Sequence, residues 1–69
     1  MELKEIGELI RKRREFLNLR QEDLSELSKV TIKTIHLIEQ GTGNPSFETL
    51  KKLSEVLGLE LLLQVKKAN

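Results

Sequence analysis

Sixty-nine residues hold one domain at most, and a chain that short buries only about 60% of its unfolded surface. Two Phe and no Trp, Tyr or Cys make the core aliphatic and exclude both a disulfide and a thiolate metal site. A net charge of +1 gives no overall pull toward nucleic acid, and no apolar run approaches the roughly 20 residues that a membrane span needs. Met1 leads directly into a charged amphipathic stretch rather than a signal peptide, so the expected location is the cytoplasm.

The first helix is predicted over about Glu2 to Leu17. Ile6, Ile10 and Leu17 set its apolar stripe, and Leu3, Leu9 and Phe16 widen it. Glu2, Glu5 and Glu8 near its start and basic residues near its end suit the helix dipole. Asn18 follows as a left-handed cap. Arg11, Lys12, Arg13, Arg14 and Arg20 cluster within ten residues. Such a cluster is either a local basic patch or a solvated, dipole-compensated helix end.

Gln21 to about Ser28 reads as the second helix, with Glu22 and Asp23 in its first turn. Lys29, Val30 and Thr31 make a tight turn, and Thr31 caps a third helix that runs to about Gln40. Leu24 with Leu27, and Ile35 with Ile38, are each spaced by three, which puts each pair on one face; Val30 plugs the corner between them. Gly41 stops the third helix, and Gly43, Asn44 and Pro45 keep the chain out of helix. Ser46 caps a fourth helix whose apolar face is Phe47, Leu50, Leu53, Val56 and Leu57, and Gly58 ends it.

The next segment, LELLLQVK, differs in kind. Leu59, Leu61, Leu63 and Val65 alternate with Glu60, Leu62, Gln64 and Lys66, which favours a β-strand over a fifth helix or a fraying amphipathic tail. A lone strand cannot satisfy its own backbone, so the expected partner is the same strand of a second copy across a two-fold axis. The chain thus divides into residues 1–58, a helical domain; 59–66, a dimerisation strand; and 67–69, a tail.

Catalysis finds no constellation of residues. There is one His and no Cys, and the Ser and Thr residues have simpler roles as caps, turns or surface positions. His36 has only Glu39 among its helical neighbours as a possible co-ligand, so no metal or other cofactor is expected.

The register of Gln21, Leu24, Val30, Thr31, Thr34-Ile35, Ile38-Glu39 and Gly41, then Asn44-Pro45-Ser46, Glu48-Thr49-Leu50 and Leu57-Gly58, resembles the Cro/C1-type, or xenobiotic-response-element, helix-turn-helix DNA-binding family. The resemblance covers about residues 3 to 58. It departs at Lys29, where the family usually has Gly, and at Ser25, where Ala is usual. It implies an all-α, lambda-repressor-like bundle of four helices, here extended by the C-terminal strand. The stretch that begins at Leu57-Gly58-Leu59-Glu60-Leu61 further resembles antitoxins of the HipB type, especially the y4mF-like branch. That likeness implies a homodimer joined by its C-terminal strands, repression of its own operon, and a HipA-like kinase toxin as partner.

By match to the family motif, the residues that would read double-stranded DNA in the major groove are Thr31, Ile32, Lys33, Thr34, His36 and Leu37. Ile32 and Leu37 stand where the family often has Gln or Arg; they either touch thymine methyls or serve core packing or a protein partner. Phosphate contact falls to Gln21 at the start of the second helix and to Gln40, Gly43, Asn44 and Ser46 around the loop after the third. Arg11, Lys12 and Arg20 would add longer-range attraction. Arg14 and Glu39 match an ion pair that ties the first helix to the third, and the place of Glu39 beside the apolar seam independently calls for a cation. The expected function is sequence-specific repression at an inverted-repeat operator, as the antitoxin of a toxin–antitoxin pair. The alternatives are a module that inhibits a partner kinase and binds DNA secondarily, or a stand-alone regulator.

Overall fold

The computed structural model describes residues 1–67, so residues 68 and 69 of the expected tail lie outside the described residues. Four helices occur in order: α1 (Leu3–Phe16), α2 (Gln21–Ser28), α3 (Ile32–Gln40) and α4 (Phe47–Leu57). Each boundary has a local cause. The Glu2 N–H donates to Glu5 Oε1 at 2.9 Å ahead of α1. Thr31 and Ser46 accept from the N–H of Thr34 and Thr49 and cap α3 and α4. Gly41 and Gly58 end those two helices in the left-handed conformation, and Asn18 takes it after α1.

The core is Ile10, Leu24, Val30, Ile35, Ile38, Leu53 and Leu57, and Ile6, Leu19, Leu50, Val56 and Leu59 pack against it from the edge. Helix α1 lies directly on α3. A Cβ built on Gly7 would stand 2.0 Å from the Ile38 carbonyl oxygen, and one on Gly41 would stand 2.9 Å from Lys4 Cα. Gly7 is therefore a packing residue: only a hydrogen side chain lets the two backbones approach so closely.

Three expectations change. Leu27 does not share the buried face with Leu24; it is 60% exposed. Ser28, four residues after Leu24, takes the inward position instead, and its hydroxyl donates to the Leu24 carbonyl at 2.6 Å. Leu3, Leu9, Phe16, Leu17 and Phe47 are also exposed, so the apolar stripes of α1 and α4 are wider than the faces the core covers. The expected strand over 59–66 is absent from the described residues: after the Leu59 N–H, which donates to the Ser54 carbonyl, residues 60–67 run without regular secondary structure. A strand needs a second strand beside it, and the described residues contain none.

Candidate nucleic-acid interface

Helix α3 is held from the inside and open on the outside. Ile35 and Ile38 are buried, whereas Ile32, Lys33, His36, Leu37 and Gln40 are exposed and Thr34 is half-buried. Ile32 and Leu37 are thus not core residues. Leu37 is partly covered by the loop after α3: its carbonyl accepts from the N–H of Thr42 and Gly43 at 3.1 and 3.2 Å.

The orientation of α3 is fixed by a buried charge network. Arg14 on α1 donates through Nε and Nη2 to both carboxylate oxygens of Glu39, at 2.7 and 2.9 Å. Its third nitrogen, Nη1, donates to the Leu19 carbonyl at 2.7 Å. The two side chains are 11% and 4% exposed. The hydrogen bond to Glu39 raises the Arg14 guanidinium pKa, against the opposing pull of burial. Gln21, at the start of α2, completes the network by donating its side-chain amide to Glu39 Oε1 at 3.1 Å. Three helices therefore meet on one carboxylate. A bidentate guanidinium pair is directional, so the network sets the roll of α3 and with it the residues that face outward.

The basic cluster of the first twenty residues is mostly neutralised within the molecule. Arg11 pairs with Glu15 at 3.3 Å and Lys12 with Glu8 at 3.1 Å, both at helical i, i+4 spacing. Arg13 donates to the Leu57 carbonyl at 2.8 Å, capping the last turn of α4, and its guanidinium lies 5.2 Å from the Phe16 ring centroid. Arg20 meets Glu22 and Asp23. Its side-chain and backbone hydrogen bonds hold the Asp23 carboxyl below the usual range, as Lys12 holds Glu8. Arg11, Lys12 and Arg20 are thus each matched by a carboxylate. Lys33 on α3 and Lys29 in the turn before it form no ion pair among the described residues.

Two candidate readers also have local work. The Thr31 hydroxyl accepts from the Thr34 N–H and donates to Thr34 Oγ1 at 2.9 Å, so both hydroxyls are engaged at the α3 cap. Ser46 does the same for Thr49 at the start of α4. Gln40 and Asn44 are exposed and Gly43 is half-buried; none of their side chains is drawn into a network.

A family model for the helix-turn-helix matches residues 10–64. The chain belongs to the helix-turn-helix family. It is 39% identical over 56 residues to HTH-type transcriptional regulatory proteins of Methanococcus maripaludis and Methanococcus vannielii, covering 81% of this chain and 17% of theirs. It is 37% identical over 59 residues to one from Methanothermobacter thermautotrophicus, covering 86% of this chain and 19% of that protein. The chain thus spans less than a fifth of the length of these relatives.

Within this helix-turn-helix, the corner carries bonds that residue spacing does not reveal. The Ser25 hydroxyl donates to the Val30 carbonyl at 2.6 Å, and the Val30 N–H donates to Ser28 Oγ at 3.2 Å. The exchange of Ala for Ser at position 25 is therefore more than a matter of size. The only signal in the sequence is the departure itself. For Arg11 and Lys12 a signal does exist: Glu15 and Glu8 stand four residues away on the same helix face.

Proposed function

We propose that this chain is a DNA-binding transcriptional repressor that acts as a homodimer on an inverted-repeat operator in the cytoplasm, without catalytic activity. The observation that carries the reading is α3: a nine-residue helix locked from behind by Arg14, Glu39 and Gln21, with Lys33, His36 and Gln40 presented outward beyond a capped N-terminus. A helix of that shape fits the major groove of B-DNA with its N-terminal residues at the base edges. Lys33 donates to guanine; Ile32 contacts thymine methyls; Thr31, Thr34, His36 and Leu37 complete the reading edge. Gln21, Gln40, Gly43, Asn44 and Ser46 flank the phosphate backbone.

The dimer reading rests on residues 59–66. Leu59 is half-buried against the core, while Leu63 on the same alternation is fully exposed. A cavity of about 310 Å³ opens between this segment, α1 and α4, bordered by Ile6, Leu9, Leu50, Leu59, Leu61 and Leu63. A second copy adding its own segment as an antiparallel strand would cover these side chains and bond the free backbone. It would also set two α3 helices about 34 Å apart, one turn of DNA. On this reading residues 1–58 bind DNA and 59–66 join the copies.

The finer assignment is a HipB-like antitoxin with a HipA-like kinase toxin as partner, supported by the resemblance of the stretch that begins at Leu57. A second reading, a module that inhibits such a kinase with DNA binding secondary, is favoured by the exposed Ile32 and Leu37 on α3.

A gel-shift series with the chain's own upstream DNA, at rising salt, tests the proposal. Specific, salt-sensitive binding that Lys33→Ala weakens without unfolding the protein is expected. Lack of salt-sensitive binding to any duplex would transfer the case to the protein-interaction module. A kinase-like reading frame beside the gene is expected under the antitoxin assignment, and its absence would leave a stand-alone regulator.

A further inference from the structure

The corner between α2 and α3 holds a lysine in a conformation that favours glycine. Lys29 lies at φ +65° and ψ +20°, in the left-handed region, where a Cβ is disfavoured. The corner is bound from several sides. The Lys29 N–H donates to the Ser25 carbonyl at 2.9 Å, the Ser25 hydroxyl to the Val30 carbonyl at 2.6 Å, and the Val30 N–H to Ser28 Oγ at 3.2 Å. Val30 itself is buried. Strained residues persist where surrounding bonds over-determine them, and such strain concentrates at functional positions.

The fold gives no reason for a lysine here. Glycine would take the same turn without strain, and the Lys29 side chain is exposed and makes no ion pair or hydrogen bond among the described residues. Its charge is therefore available, in contrast to those of Arg11, Lys12, Arg14 and Arg20, each already matched by a carboxylate. Lys29 also stands two residues before the α3 cap and four before Lys33, the other cation without an ion pair on this edge.

We propose that Lys29 is a binding residue for the phosphate backbone of duplex DNA, and that Ser25 is the positioning residue whose hydrogen bond keeps the corner in the shape the lysine occupies. This rests on the DNA-binding reading above. It adds a contact outside α3 that strengthens binding to every sequence alike, and it couples two departures from the family pattern that lie side by side at the corner.

The full chain and its Lys29→Gly, Lys29→Arg, Ser25→Ala and Ser25→Ala/Lys29→Gly variants test it, by thermal melting and by binding to the upstream duplex and to an unrelated duplex across a salt series. Lys29→Gly should melt several degrees above the parent. It should bind both duplexes about fivefold to tenfold more weakly, with the log–log salt slope reduced by about 0.9 for each copy bound. Lys29→Arg should keep the slope. Ser25→Ala should lower the melting temperature more in the parent than in the Lys29→Gly background. Unchanged affinity and slope for Lys29→Gly, while the parent binds in a salt-sensitive way, would overturn the phosphate contact and leave the function standing. Equal losses from Ser25→Ala in both backgrounds would overturn the positioning role. A parent that binds no duplex would instead overturn the DNA-binding reading itself.

Discussion

The inner seam of α3 and the segment after Gly58 are both short and leucine- or isoleucine-rich, yet they end in opposite environments. Ile35 and Ile38 are closed over by α1, with the Ile38 carbonyl pressed against Gly7 and Glu39 gripped by Arg14 and Gln21. Leu62, Leu63 and Val65 stand in solvent, and the backbone around them makes no bonds with the rest of the chain among the described residues. The difference is one of completeness. A helix satisfies its own backbone and needs only a face to cover it, which the same chain supplies. An alternating strand needs a neighbouring backbone as well. The first region is finished within one molecule; the second is not, and a second copy completes it only on the proposed dimer.

If the α3 seam is self-sufficient, breaking it should destabilise the single chain, and the largest loss should come from Arg14→Ala. It would leave the Glu39 carboxylate, 4% exposed, with only the Gln21 amide. The expected cost is about 3–5 kcal/mol in urea unfolding. A loss below about 1 kcal/mol would class the pair with ordinary surface bridges. Replacing both partners, as Arg14→Met with Glu39→Leu, should cost less than Arg14→Ala alone, because no charge is stranded. Gly7→Ala comes next. Helix propensity alone favours alanine by about 1 kcal/mol. The added Cβ would fall 2.0 Å from the Ile38 carbonyl oxygen, so α1 must lift off α3. A net loss of about 2–3 kcal/mol is expected from melting curves. A gain would show that α1 can slide without penalty.

The parts of this structure written into neighbouring residues are the parts the sequence makes legible. Thr31, Ser46, Gly41 and Gly58 punctuate their helices through bonds that span only a few residues, and the buried pair Ile35 and Ile38 follows from helical spacing. Gly7 reads in sequence as an ordinary helix position because its role depends on how closely α1 crosses α3, a tertiary quantity. Spacing misplaces Leu27 because on a short helix either a residue three or one four positions from Leu24 can turn inward, and Ser28 does. At the candidate interface, the exposure of Lys33, His36 and Gln40 can be anticipated from the buried positions between them. The Gln21 bond to Glu39 cannot, since it joins residues 18 apart on different helices.

The second region is sharpened by Leu61→Glu with Leu63→Glu. These side chains are exposed, so the melting of the isolated fold should be little changed. On the proposed dimer, covering Leu63 between two copies would be worth about 2 kcal/mol per copy, and a buried charge would remove it. Sedimentation should show the parent as a dimer and the variant as a monomer. A parent that remains monomeric at high concentration would overturn the proposed dimer, since the segment would then be a tail rather than half of an interface.

The smallest effect concerns the start of α2, which serves neither region alone but supplies Gln21 to the α3 network. Asp23 accepts from the Arg20 N–H at 2.8 Å and from its guanidinium, and these bonds hold its carboxyl below the ordinary range. A depressed carboxyl contributes stability that is fully present above its unfolded value, near pH 4, and is lost as pH falls through the lower folded value. Asp23→Asn removes the titration and keeps the shape. Its stability should therefore fall below the parent's at neutral pH and converge on it only in acid, once the pH has dropped past the lowered folded value and the parent's own carboxyl is protonated. The Glu8 carboxyl is also lowered, by Lys12, but equally in both proteins, so the difference between the two curves belongs to Asp23. Curves that stay parallel down to low pH would mean that the Asp23 bonds act as a neutral cap, and that the charge on Arg20 is held by Glu22 rather than by Asp23.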